Sequence, residues 1–213
     1  MIYTTDEELG KKVGEYLVEM GVETPRKKYC KEEEKEDIAY HFAKIMTILG
    51  LDLDNDSLSG TPKRIKKMFE NEVFYGLDYK NFPSCTVVEN TSSMDNLVVE
   101  KDIAVKSMCE HHFLPIIGTC KVGYLASDNV IGLSKINRIV DFFSRRPQIQ
   151  ERLTEQIFHT LCFILDTEDV AVIIDAKHTC VSHRGIQQES STATSRLGGA
   201  FIHGSLRHEF MHL

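Results

Sequence analysis

The chain has 213 residues, of which 42% are hydrophobic and 27% charged, with a net charge of −7. That length fits one domain of ordinary size, or one with an N-terminal appendage, and the composition supports a core rather than disorder. The acidic balance argues against a nucleic-acid surface, no apolar run approaches the ~18 residues that cross a membrane, and polar sequence follows Met1 at once, so a cytoplasmic protein is expected.

Residues 5 to 21 read as a helix, with Leu9, Val13, Tyr16, Leu17 and Met20 at helical spacing, Gly21 as its C-terminal stop and Pro25 beyond. A second helix is expected over about 33 to 49, with Ile38, Phe42, Ile45, Met46 and Leu49 on its apolar face. The acidic run from Lys31 to Asp37 reads as a solvated helix face. Thr61-Pro62 marks a helix start, with Thr61 as N-cap. There Ile65, Met68 and Phe69 should face inward, leaving Arg64 and Lys67 at the surface. After Phe82-Pro83 the pattern changes, and residues 97–108 and 116–125 alternate as strands. Ser134 to Arg145 returns to helical spacing, and Pro147 is expected to open another helix lined by Ile149, Leu153, Ile157, Leu161 and Ile164. Residues 170–176 and 191–201 complete the strands, before a short helical tail. This order predicts an α+β domain over 84–213, with an antiparallel sheet and helices packed on one face. Residues 1–83 would form an added N-terminal helical region.

The six cysteines are Cys30, Cys85, Cys109, Cys120, Cys162 and Cys180, and cytoplasmic thiols stay reduced. Cys120 and Cys162 lie in apolar segments and read as small core residues. Cys109-Glu110-His111-His112 falls in the connection between the first two long strands. His178-Thr179-Cys180 falls at the end of the next strand. A catalytic zinc site needs three protein ligands and an open fourth position. Cys109 and His112 have a C-x-x-H spacing suited to one metal, and Cys180 would be the third ligand. That leaves His111 and His178 for proton transfer. Glu110 reads as a ligand, as an orienter of the ligands, or as a side chain pointing away.

Arg64 and Lys67 share one helix face. Lys135, Arg138 and Arg145 share another, whose N-terminus carries Ser134, and Arg184 follows the second Cys/His pair. A helix N-terminus with a hydroxyl and nearby cations suits phosphate. Gln150-Glu151, at a helix start, is either an acid placed by the helix dipole or a pair that reads a guanine edge.

The segments CEHHF, VIGLSKINRIV, RRPQIQERLTEQI and HTCVSHRGI together resemble GTP cyclohydrolase I, most closely its bacterial form. GVETP, TPKRIKKMF, FYGLDYKNFP and the tail SRLGGAF…RHEF extend the resemblance over nearly the whole chain. It implies conversion of GTP and water to 7,8-dihydroneopterin triphosphate and formate, the first step of folate and pterin biosynthesis. It implies the tunnelling fold (T-fold), a homo-oligomer, commonly a decamer of two pentamers, and active sites shared between subunits. By motif position it implies zinc on Cys109, His112 and Cys180, and acid/base roles for His111 and His178, with Ser134 assisting later proton transfers. Gln150 and Glu151 would hold the guanine. Arg64, Lys67, Ser134, Lys135, Arg138 and Arg184 would surround the triphosphate and ribose. The competing expectation is a zinc-stabilised module that binds guanine nucleotides without turnover. A thioimide-forming reductase on the same fold is disfavoured, because it needs no Cys/Cys/His metal site.

Overall fold

The computed structural model describes residues 3–26, 37–91, 96–126 and 128–213. Cys30 and most of the acidic run after it, with the expected start of the second helix, lie outside the described residues. The chain divides into two compact units, Met1–Thr24 with Gly76–Leu213, and Pro25–Tyr75. The first unit is a mixed α+β structure.

Helix α1 (Glu7–Glu19) starts where Asp6 accepts the Leu9 N–H at 2.9 Å, an N-cap that satisfies one orphan donor. Val13 and Leu17 are fully buried. Gly21 ends the helix with φ 72°, a left-handed conformation that only glycine adopts at no steric cost.

In the second unit, α2 (Ile38–Ile48) and α3 (Thr61–Met68) pack on each other. Two sequence expectations need correction here. Gly60, not Thr61, is the capping residue, and Pro62 occupies the first turn as expected. The predicted inward faces are also only partly covered: Met46 is buried, while Ile45, Leu49 and Met68 are exposed. The apolar residues recur at helical spacing, but only one side of that stripe is covered.

The main sheet belongs to the first unit. A short pair, β1 (Val87–Glu89) with β4 (Asn129–Ile131), stands apart from it. The five-stranded sheet has the order β5-β2-β3-β6-β7, formed by β5 (Pro147–Gln148), β2 (Leu97–Cys109), β3 (Pro115–Leu125), β6 (Val170–His178) and β7 (Ser191–Leu197). All neighbours run antiparallel except β5, which lies parallel to the end of β2 through Met108↔Pro147 and Cys109↔Gln148. Pro147 therefore does not open a helix. It begins an edge strand, where a missing N–H is tolerated, and α5 (Gln150–Leu165) starts three residues later.

One face of the sheet carries Ile103, Val105, Cys109, Ile116, Cys120, Val122, Val172 and Ile174, all buried. Helices α4 (Leu133–Ser144) and α5 cover it with Ile136, Ile139, Val140, Leu153, Ile157 and Leu161, none of which touches solvent. Burial pushes the Cys120 thiol up and the Cys162 thiol up to about 12, so both remain neutral core residues. The opposite face is not bare. A bulge at Lys101–Asp102, with Asp102 at φ 56°, adds one residue to β2 and turns Leu97 and Val99 to the far side. There they join Leu125, Ile173 and Leu197 around Phe201 and Phe210 of the C-terminal segment. Helix α7 (Gly204–His212) is fastened by Lys121 Nζ, which donates to the Phe210 carbonyl at 2.8 Å. Helices thus lie on both faces, because the bulge creates a second apolar patch that the alternation pattern did not reveal.

The chain leaves the first unit at Thr24 and returns at Gly76, and both passages attach to one short segment. Gly76 N–H donates to the Arg145 carbonyl at 3.0 Å, so closely that a Cβ there would stand 2.0 Å from the Phe142 carbonyl oxygen. Glu23 pairs with Arg146 at 3.1 Å. Arg146 is wholly buried, with its guanidinium 4.7–4.8 Å from the rings of Tyr79, Phe142 and Phe143. Tyr79 OH also donates to Glu23.

His159 on α5 predicts a pH dependence. It packs against Tyr16 and Phe158, and burial holds its imidazole below the ordinary value of 6.5, against the opposing charge of Glu155. The unfolded chain therefore binds this proton more readily than the folded one. Its contribution to stability is complete above about 6.5 and declines as pH falls below that value. The urea midpoint should drop between pH 7 and pH 5.5, and less so in His159→Phe.

Candidate metal centre and its surroundings

The sheet topology brings the two Cys/His segments to one end. Strand β2 ends at Cys109 and β3 begins at Pro115, so residues 110–114 form the hairpin connection. The turn is closed by Phe113 N–H to the Cys109 carbonyl at 2.9 Å and Cys109 N–H to the Leu114 carbonyl at 2.8 Å. Phe113 takes φ 49°, which costs a large non-glycine residue energy and marks a tightly specified turn. Strand β6 runs antiparallel to β3, with His178 opposite Ile116. The short helix α6 (Thr179–Ser182) follows, and Thr179 Oγ1 donates to the Pro115 carbonyl at 2.8 Å, tying it to the same hairpin end.

The outcome is a cluster of donors. The Sγ atoms of Cys109 and Cys180 and a ring nitrogen of His112 all lie within 4.8 Å of one another. Among the described residues, no other group of three His, Cys, Asp or Glu does this. Two thiols and one imidazole suit zinc, whose bonds to sulfur and nitrogen are ~2.3 and ~2.0 Å, so small rotamer adjustments would close the group on an ion. Cys109 is buried, Cys180 half-buried and His112 exposed, so the cluster is walled on one side and open on the other. Burial and the neighbouring Cys109 both raise the Cys180 thiol. A metal reverses that preference, since it is the thiolate that ligates.

His178 lies beside this group with a fixed orientation. Its Nε2 is 2.8 Å from Gln150 Oε1. Gln150 Nε2 donates to the carbonyls of Ile174 at 3.0 Å and Thr192 at 2.7 Å. That network assigns the amide orientation, so the oxygen faces the imidazole and can only accept. His178 therefore carries its proton on Nε2 and leaves Nδ1 as the acceptor. Burial lowers the His178 pKa, and the charge of Glu151 opposes this. Gln150 thus departs from the sequence expectation in one respect. Its carboxamide is buried and engaged within the chain rather than open to a base. Glu151, next to it, is exposed.

The remaining predicted residues fall into three places. His111, with a side chain 65% exposed, and Arg184, also exposed, share the metal end. Ser134, Lys135 and Arg138 do not. They sit on the first turns of α4, where Asn137 Nδ2 donates to Glu100 Oε1 at 2.9 Å. From Glu100 to Cys109, with one residue taken up by the bulge, the strand covers roughly 26 Å at ~3.3 Å per residue. Arg138 lies 5.4 Å from the Tyr3 ring, and burial pushes the neighbouring Cys85 thiol up to about 12. Arg64 and Lys67 belong to the second unit, both exposed, with Arg64 Nη2 donating to the Ser57 carbonyl at 3.1 Å. Arg152 was not singled out from sequence. Its guanidinium grips Glu110, 42 positions away in sequence, beyond the reach of any local pattern.

An α+β scaffold that presents two thiols and an imidazole at one open sheet end defines a candidate single-metal centre. The sequence model of a family described as GTP cyclohydrolase I matches residues 38–213. A protein named GTP cyclohydrolase 1 from Shewanella sp. (strain W3-18-1) is 49% identical over 205 residues, covering 94% of this chain and 96% of its own. Another of that name, from Vibrio parahaemolyticus serotype O3:K6 (strain RIMD 2210633), is 49% identical over 209 residues, covering 96% of each chain. The chain belongs to the GTP cyclohydrolase I family.

Proposed function

We propose that this chain converts GTP and water to 7,8-dihydroneopterin triphosphate and formate, the first step of pterin and folate biosynthesis. The observation that carries the reading is the convergence of Cys109, His112 and Cys180 within 4.8 Å, beside the oriented His178, in a chain of this family. Zinc is the metal we assign to the three donors. When bound, it supplies Lewis acidity and a water that loses a proton near neutral pH.

The protein's own groups do the rest. His178, held by Gln150 at Nε2, presents Nδ1 as the atom that exchanges a proton with the guanine imidazole ring as it opens. His111 and Ser134 serve the later proton transfers, as the ribose opens, rearranges and recloses. Glu151 accepts from the N1 and N2 donors of guanine, and Gln150 contributes by placing His178. Lys135, Arg138, Arg184, Arg64 and Lys67 supply cations for the triphosphate and ribose. Ser134, Lys135 and Arg138 lie on the turns of α4 beside Glu100, toward the other end of β2 from Cys109, so in this reading they act on a GTP whose metal end belongs to another subunit. This supports a homo-oligomer with sites shared between subunits, which we assign as a decamer of two pentamers. We assign the tunnelling fold to residues 84–213, residues 1–83 as the N-terminal helical region, and the cytoplasm as the location. No described helix is long and apolar enough to cross a membrane.

The test is incubation of metal-quantified protein with GTP, reading formate and, after oxidation, fluorescent neopterin phosphate. Both products should appear, and both should be lost in Cys180→Ser together with the zinc. Bound GTP and zinc with neither product would overturn the enzymatic reading in favour of a binding module. Glu151→Ala should raise KM by about 10- to 100-fold, the value of a charge-assisted hydrogen bond of ~1.5–3 kcal/mol. An unchanged KM would remove Glu151 from base recognition.

A further inference from the structure

We propose that Arg152 is a positioning residue for the metal-binding turn and acts through Glu110. This rests on the reading that Cys109, His112 and Cys180 hold zinc. Glu110 stands between two of those donors, and a carboxylate at that place is itself able to ligate zinc. Its oxygens are directed elsewhere. Arg152 Nη1 meets Oε2 at 2.6 Å, and Nη2 meets Oε1 at 3.4 Å. The side chains are 14% and 25% exposed, so this pair is largely withdrawn from water, unlike a screened surface pair.

The pair gives the turn a second anchor. Glu110 N–H donates to the Gln148 carbonyl at 3.0 Å, which fastens the main chain to β5. Arg152 fastens the side chain of the same residue to the first turn of α5. That turn also carries Gln150, which holds His178. One helical turn therefore fixes both segments that border the metal, and a rigid element holds such geometry better than a loop does. His111 Nε2 lies 3.8 Å from Glu110 Oε1, so the same carboxylate also borders the second candidate proton carrier. Without Arg152 the turn keeps only its main-chain anchor, and a carboxylate is released beside the donors.

The experiment measures zinc affinity of the intact oligomer by competition with a chromogenic chelator, with circular dichroism and thermal midpoint as folding controls. Arg152→Met should weaken zinc binding about tenfold or more, the usual cost of losing such an outer partner. Arg152→Lys should recover part of it, keeping the charge without the two-pronged fork. Glu110→Met should weaken it similarly, and the double variant should be no worse than either single, as expected of one coupled pair. Should Arg152→Met fail to fold, Glu110→Gln keeps the shape and should still weaken zinc. Wild-type affinity in the folded Arg152→Met or Glu110→Gln variant, or additive losses in the double, would overturn the proposal. Cys180→Ser separates this from the underlying reading. If wild type binds no zinc, or Cys180→Ser binds it equally well, the metal assignment falls and the inference with it. If both behave as expected while Arg152→Met matches wild type, only the positioning role falls.

Discussion

Mixed oligomers assembled from Cys180→Ser chains and Lys135→Ala/Arg138→Ala chains will recover turnover that neither parent shows. The first variant lacks a donor at the metal end of the sheet. The second lacks two cations at the start of α4, which lies beside Glu100, and Glu100 is roughly 26 Å along β2 from Cys109 at ~3.3 Å per residue. In the shared-site assembly proposed above, a complete site would combine the metal end of one copy with the cationic end of another. In a random equal mixture, roughly a quarter of such sites are intact in both halves. The measurement is formate release after the two proteins are dissociated, mixed and reassembled. Recovery near that fraction is expected. No recovery, with mixed assembly verified, would mean that each chain completes its own site and that the cations of α4 serve something else.

Arg146→Met will be the most destabilising single substitution proposed for this chain, by about 3–5 kcal/mol, the cost of breaking a buried ion pair from one side. Arg146 is fully buried, and among the described residues its only ion-pair partner is Glu23 and neither Nε nor Nη2 meets a hydrogen-bond acceptor. The faces of Tyr79, Phe142 and Phe143 supply the remaining stabilisation of the charge. Removing the guanidinium leaves Glu23 facing a phenol whose pKa burial has already raised, and vacates a space shaped by three rings. Glu23→Gln should cost less, since the amide oxygen still accepts. Denaturant midpoints of the two variants check the ranking. A loss below about 1 kcal/mol for Arg146→Met would show that the rings, not the charge, hold this region together.

Much of the candidate site could be read from the sequence because its parts are local. CEHH and HTC each lie at a strand end, and antiparallel pairing of three strands brings such ends together whatever the details of packing. Pairing also predicts that residues at the start of α4 sit at the other end, although sequence spacing alone did not say so. What stayed hidden depends on contacts between distant segments. The two-residue strand β5 is too short to alternate, and Pro147 imitates a helix start. The bulge at Asp102 shifts a register without altering composition, so the second apolar face under α7 had no visible period. The partners of Glu110 and Glu23 are arginines far along the chain, in RRPQIQER, a segment whose charges look like an ordinary helix entrance. Nor does a carboxamide such as that of Gln150 give any sign in sequence of whether sheet carbonyls have already claimed its hydrogens.

The two attachments at Arg145 and Arg146 have a consequence for how this chain can change over time. Residues 25–75 depart from and return to one spot, so the segment is topologically an excursion whose ends are already joined. An excursion of that kind can lengthen or shorten, outside the helix that carries Arg64 and Lys67, while every strand before and after it keeps its register. Variation in length should therefore be tolerated between Pro25 and Tyr75 wherever it spares the helix Thr61–Met68. It should be punished at Gly76, where the returning chain passes too close to the Phe142 carbonyl for any side chain to fit.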